Sequence, residues 1–389
     1  MSLMALGDTA RFINGAAFKP SDWEDDGLPI IRIQNLTGTG ETFNLTNRKV
    51  KPELIVEPGD LLVSWSATLD VYRWSGPRGV LNQHIFKVLP NPNIDPEYLF
   101  YALKNSLAEL SAKTHGSTMK HVVRGDFEST LVNVPPLPEQ RRIVDILSRA
   151  EGIVRLRREA EKKAAELIPA LFLDMFGDPA MNPKEWPEHR LGDIAEVVSG
   201  VTKGKKFGDK QTVVVPYLRV ANVQAGHIDL TELKTIEVLP RDVAQLALQR
   251  GDVVMTEGGD FDKLGRGALW EQDIPDCIHQ NHVFRVRLNQ SVALPEFFVT
   301  YLLSGKTREY FLRCAKRTTN LASINMTQLR GLPVVLPSVD VQHDFVERFS
   351  AVRSIQAQQS AATAKAQATF DALLAQVFKP EHAQPTQVE

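Results

Sequence analysis

Leu6-Gly7-Asp8-Thr9-Ala10 returns later in the chain as Leu191-Gly192-Asp193-Ile194-Ala195. Working outward from that pair, Gly15 matches Gly200, and Pro29-Ile30-Ile31-Arg32-Ile33 matches Pro216-Tyr217-Leu218-Arg219-Val220, with Asn35 opposite Asn222. Gly59-Asp60-Leu61-Leu62-Val63-Ser64 returns as Gly251-Asp252-Val253-Val254-Met255-Thr256. His84-Ile85-Phe86-Lys87-Val88 returns as His282-Val283-Phe284-Arg285-Val286, and Pro96-Glu97-Tyr98 as Pro295-Glu296-Phe297. The order is kept while the separation grows, as two copies of one domain with different loop insertions require.

Each shared segment has a local physical reading. Gly-Asp before an apolar run is a turn feeding a buried strand. The His84 and His282 segments are rich in branched and aromatic residues and read as strands. Pro96 sits near the first helical position with Glu97 in the first turn, which opens a helix. Each copy is therefore expected to be a mixed domain of strands and helices, and function is expected where the copies differ.

A helical stretch follows each copy, from about Pro138 to Phe176 and from about Val339 to Phe378. Gln140 matches Gln342 and Phe176 matches Phe378 at one separation. Ile143, Ile146, Ala150, Ile153, Arg157, Ala160, Ala164, Leu167 and Leu171 alternate steps of three and four, a heptad seam. Phe345, Phe349, Val352, Ile355, Gln359, Ala362, Ala366, Leu373 and Val377 repeat it more loosely. Pairing the two helices with each other, antiparallel about a pseudo-twofold axis, is the economical way to bury both seams. Arg157 and Gln359 hold equivalent seam positions; they read either as a polar layer fixing register or as solvent-facing residues where the seam frays. Pro169 is expected to kink the first helix or split off its last turns. The expected division is 1–137 first domain, 138–177 first long helix, 178–337 second domain, 338–379 second long helix and 380–389 a disordered tail.

With 389 residues the chain exceeds what one core normally serves. Cys277 and Cys314 supply no disulfide framework and no zinc spacing. No apolar run is long enough for a membrane span and no charged-then-apolar leader is read at the start, so a cytoplasmic protein is expected.

The tandem copies, Pro135–Ile143 (PPLPEQRRI) and the long helices resemble the specificity subunits of type I restriction–modification enzymes. So do Val63–Leu69 and Leu81–Val88, while Met255–Gly267 and Gln280-Asn281-His282 are similar to another recognition-domain type of that family. The resemblance runs to about Phe378. It implies an α+β fold: two tandem-repeat target recognition domains separated by a long antiparallel two-helix coiled coil. It implies a bipartite double-stranded DNA target, docking of two methylation subunits, and motor–nuclease subunits beside them. Methylation and cleavage would belong to those partners, so no cofactor, metal or catalytic residue is expected in this chain.

The residues themselves agree. No Asn/Asp-Pro-Pro-aromatic loop for a flipped base is present, and no phosphate-cradling GxxxxGK[ST] loop. Glu232-Leu233-Lys234 with Asp229 upstream is a nuclease-like string, read here as a solvated strand end. His84 and His282 lack a nucleophile motif and are read as hydrogen-bonded structural histidines beside Asn82 and Asn281.

Specific DNA binding needs cations for phosphates and polar groups for base edges. Lys113, Thr114, His115, Ser117, Thr118 and Lys120 supply both in the first copy. Lys316, Arg317, Thr318, Thr319 and Asn320 do so at the equivalent place in the second. Lys203, Lys205 and Lys206 add a basic loop with no counterpart after Gly15. Trp65, Tyr72, Arg73 and Trp74 form an aromatic–basic stretch that either braces the core or contacts DNA. The formal net charge of −2 runs against a lone DNA-binding domain, which is ordinarily basic. Cations gathered on one face, or partner subunits supplying phosphate contacts, would reconcile it. Two alternatives stand beside this reading: a self-contained modification or restriction enzyme, and a coiled-coil scaffold that binds only protein.

Overall fold

The computed structural model describes residues 2–40, 42–66, 68–113, 124–259, 264–317 and 322–378, with the backbone alone at 112, 113 and 317. The chain forms two compact units, Met1–Glu159 with Ala361–Glu389, and Ala160–Ser360.

The repeat becomes a repeated sheet. In the first unit Ala10–Asn14, Ile85–Pro90, Leu61–Ser64 and Asp70–Arg73 pair in that order, all antiparallel. In the second unit Ala195–Ser199, Val283–Leu288, Val253–Thr256 and Gly267–Leu269 do the same. A second sheet in each unit holds a parallel pair, Leu28–Ile31 with Gly79–Leu81 and Val213–Leu218 with Ile278–His279. The Gly-Asp turns have a shared geometry: Gly59 and Gly251 take φ of 96° and 93°, where a side chain would be strained. The following aspartates accept the backbone N–H of Glu57 and of Gln249, each at 2.7 Å. At Gly15 and Gly200 a β-carbon would overlap the carbonyl oxygens of Asn82 and His279, so the close approach of the two sheets admits glycine only.

The long helices are Leu137–Ala165, Leu167–Phe176 and Val339–Phe378. The first is split where Pro169 removes a donor and crowds the carbonyl one turn back. The second has Asp371 at the matching position and runs unbroken over its 40 residues, about 60 Å at ~1.5 Å per residue. In the first unit Ile143, Leu147 and Val154 share a core with Phe370, Leu374 and Phe378. In the second, Ile168, Phe172 and Phe176 share one with Phe345 and Phe349. In each unit the beginning of one long helix thus lies against the end of the other.

The seam read from the sequence needs correction. Ile146, Ile153 and Leu167 are 42%, 54% and 43% exposed, while Leu147, Val154 and Ile168 are buried. The docking face draws on both: Ile143 and Ala164 of the expected seam are buried, and at three places the aliphatic neighbour one step further along docks instead. Arg157 is exposed, which fits the solvent-facing reading at that position; Gln359 is half-buried.

One polar device anchors both helices. Gln140 is buried; its carbonyl accepts the Asp95 N–H at 2.8 Å and its amide donates to the Asn93 and Pro135 carbonyls at 3.1 and 2.8 Å. Gln342 repeats this with the Leu294 N–H at 2.8 Å and the Val292 and Pro337 carbonyls at 3.0 and 2.9 Å. A buried amide with its donors and acceptor satisfied fixes where the helix leaves the domain.

Candidate nucleic-acid interface

The antiparallel register places one end of each four-stranded sheet at the root of the variable loops. In the second unit Ser199 lies opposite Phe284 and Thr256 opposite Val283, so the chain leaves both strands at the same end. After Ser199 comes the lysine loop, where Lys203, Lys205 and Lys206 are exposed. The Lys203 ammonium lies 5.8 Å from the Tyr217 ring centroid, a cation–π contact at the loop's base. After Thr256, Gly258–Gly259 pairs with Ala322–Ser323, which pairs with Lys316–Arg317. Lys316 is exposed.

Between these two roots sits His282. Its Nδ1 lies 2.5 Å from Glu257 Oε2, and its Nε2 lies 3.3 Å from the Asn281 amide. Ser199 donates to the Asn281 carbonyl at 2.7 Å, and the Ile324 N–H to the Glu257 carbonyl at 2.8 Å. The lysine loop and the Lys316 hairpin are therefore tied to one polar centre. His282 is hydrogen-bonded as expected, but it is exposed and its close partner is Glu257. The buried histidine is His279, whose Nδ1 meets the Val283 carbonyl at 2.6 Å; burial pushes its pKa down to about 4.

In the first unit Asn14 lies opposite Phe86 and Ser64 opposite Ile85, so the same end is built again. Trp65 takes the place of Glu257, with its ring 4.9 Å from His84 and stacked 5.7 Å from Phe86. Trp74 is buried, and Arg73 points to a helix. The aromatic–basic stretch serves the core.

The first copy's polar segment follows the helix Pro96–Lys113 and precedes Arg124–Glu128; the second copy's follows Gly305–Cys314 and precedes Met326–Arg330. Each of the two following helices reaches the first strand of its sheet: Arg124, at the start of one, donates to the Phe12 carbonyl at 3.2 Å, and Arg330, at the end of the other, donates to the Val197 carbonyl at 2.8 Å. Thr114, His115, Ser117, Thr118, Lys120, Thr318, Thr319 and Asn320 lie outside the described residues, as do the side chains of Lys113 and Arg317.

The nuclease-like string is engaged locally. Arg219 donates to Glu232 at 2.8 Å and Lys234 lies 3.1 Å from it; together they hold its carboxyl below the usual range. Asp229 accepts the Thr231 hydroxyl at 2.7 Å. Among the described residues no group of three or more His, Cys, Asp or Glu could hold a metal ion. Among the described residues no helix is long and apolar enough to cross a membrane.

A mixed domain built twice, with loops of different charge leaving the same end of each four-stranded sheet and a long helical stretch after each copy, defines a tandem-repeat protein of the recognition class. The signature described as "Type I restriction modification DNA specificity domain" matches residues 1–166 and 183–364, and the chain belongs to that family. It is 24% identical to the Type I restriction enzyme EcoBI specificity subunit of Escherichia coli, over 97% of this chain and 85% of that one. It is 27% identical to the MjaVIII specificity subunit of Methanocaldococcus jannaschii, over 91% and 86%. Its fold matches a solved chain from work on assembly and conformational transition of the type I restriction–modification system, at TM-score 0.61 and 17% identity over 98% of both chains. It also matches the S subunit from M. genitalium at TM-score 0.52 and 15% identity, over 98% and 96%. The chain is a DNA specificity subunit of the type I restriction–modification class.

Proposed function

We propose that the chain is the non-catalytic reader of a type I complex and binds an asymmetric, bipartite double-stranded DNA target. Residues 1–137 and 178–337 each read one half, and the helices at 138–177 and 338–379 set the gap. The observation that carries this reading is a frame built twice with different chemistry at its loop-bearing end. Lys203, Lys205, Lys206 and Lys316 are exposed there, and they grip phosphates. Lys113, Thr114, His115, Ser117, Thr118 and Lys120 serve the first half-site; Arg317, Thr318, Thr319 and Asn320 join Lys316 at the second. Two methylation subunits and the motor–nuclease subunits complete the assembly and supply chemistry and further phosphate contacts, in the cytoplasm.

Footprinting of the reconstituted complex tests the reading. The expected result is two short protected blocks of fixed sequence around an unspecific gap. Continuous protection, or none, overturns it. Sustained methylation by the purified chain alone with S-adenosylmethionine would favour a self-contained enzyme instead.

A further inference from the structure

Each domain is tied to its own spacer helix by an ion pair at the same helical turn, with the polarity reversed. Glu151 and Arg353 are repeat partners, at the separation that relates Gln140 to Gln342. In the first unit the domain supplies the cation: Arg73 Nη1 lies 3.2 Å from Glu151 Oε2 on the helix Leu137–Ala165. In the second the domain supplies the acid: Glu271 Oε2 lies 2.9 Å from Arg353 Nη2 on the helix Val339–Phe378. Two buried tryptophans fix the comparison. The backbone N–H groups of Trp74 and Trp270 donate to the Asp60 and Asp252 carbonyls at 2.9 and 2.8 Å, so Arg73 precedes and Glu271 follows the same position.

The two ties differ in what surrounds them. Arg73 also lies 3.5 Å from the Phe100 ring centroid and donates to Glu97 at 2.7 Å. The Tyr101 hydroxyl donates to Glu151 at 2.9 Å, and Lys104 lies 3.8 Å from the same carboxylate. Arg353 has the Phe349 ring at 6.0 Å. We propose that Arg73 with Glu151, and Glu271 with Arg353, are positioning residues that hold each recognition domain at a fixed attitude on its helix, and so make the complex strict about gap length.

The tie recurs while its sign inverts, so what the two copies share is the link and not a particular residue. An isolated exposed ion pair adds little to stability. A link at the root of a domain acts differently: a small tilt there is a larger displacement at the reading loops. Gap selectivity, rather than melting temperature, is the property it should control. The inference rests on the bipartite reading proposed above.

The test is binding of the reconstituted complex to split targets whose gap is one base pair shorter, cognate, or one longer. Glu151→Arg is expected to reduce the preference for the cognate gap about fivefold, by setting like charges together. Adding Arg73→Glu is expected to restore it, because the second unit already works with that polarity. Should Glu151→Arg fail to assemble, Arg353→Glu with and without Glu271→Arg carries the same test. An unchanged preference, a double variant no better than the single, or an equal loss at every gap length overturns the proposal. A complex with no gap preference before substitution would overturn the bipartite reading and the clamp with it. A preference that survives Glu151→Arg removes the clamp alone.

Discussion

Residues 15–27 and residues 200–212 leave equivalent strands at the same end of equivalent sheets, and they carry opposite charge. The first loop has Asp22, Glu24, Asp25 and Asp26 against Lys19; the second has Lys203, Lys205, Lys206 and Lys210 against Asp209. The acids of the first loop are partly turned to internal work. Asp22 lies 3.5 Å from Arg48, and Glu24 and Asp26 accept the Asn47 amide at 3.0 and 2.7 Å. Below these loops the frames agree, down to the glycine at each root and the glutamine at each helix start. The difference teaches that the frame is under packing constraint while the loop end is free to change, even in sign. Four lysines against one aspartate make the second loop locally positive although the chain as a whole is near neutral.

The sameness of the frames can be broken at Gln140 and Gln342. Replacing either by leucine keeps the volume but strands one N–H and two carbonyls, a loss of about 4 kcal/mol. Urea unfolding should show similar losses for Gln140→Leu and Gln342→Leu, each confined to its own unit. A large loss for one and none for the other would mean that the helix roots are not equivalent.

A smaller effect separates the copies by pH. His279 is held neutral, with its pKa near 4, while the first copy has Leu81 at the matching position. The unfolded side chain titrates near 6.5, so below that value the unfolded state binds the proton first. The second unit should keep its full stability above pH 6.5 and lose on the order of 3 kcal/mol as pH falls to 4. His279→Leu should flatten that slope in pH-resolved unfolding, with the first unit unaffected; a slope that survives places the sensitive group elsewhere.

Smaller still is the asymmetry of grip. Alanine at Lys203, Lys205 and Lys206 together should weaken DNA binding on the order of 10- to 100-fold and lower the salt slope by about 2 to 3. Asp22→Asn with Asp25→Asn in the first loop should change binding severalfold at most. Affinity measured across salt concentrations checks both, and equal responses would mean that the charge difference plays no part in binding.

Much of the frame was legible in the sequence because its devices are local. Gly-Asp turns, Pro96 at a helix start and Pro169 as a helix breaker act within a few residues of themselves. The docking face was legible in part: Ile143 and Ala164 are buried as expected, but Ile146 and Leu147, Ile153 and Val154, and Leu167 and Ile168 are adjacent aliphatics, and periodicity alone cannot choose between neighbours. The polar centre at Glu257 and His282 was half legible. The histidine recurs in the sequence, but its partner lies 25 residues away and meets it only through strand register. The reversed clamp at Glu151 and Arg353 was visible as a repeat pair, yet its partners Arg73 and Glu271 are not at matching positions, so alignment could not find it.

The most direct test of two readers on one repeated frame is a genome-wide map of methylated adenines with and without this gene. The expected result is a single split motif, two different short blocks around a fixed unspecific gap, that vanishes when the gene is removed. A continuous motif, two identical half-sites, or a map unchanged by the deletion would contradict it.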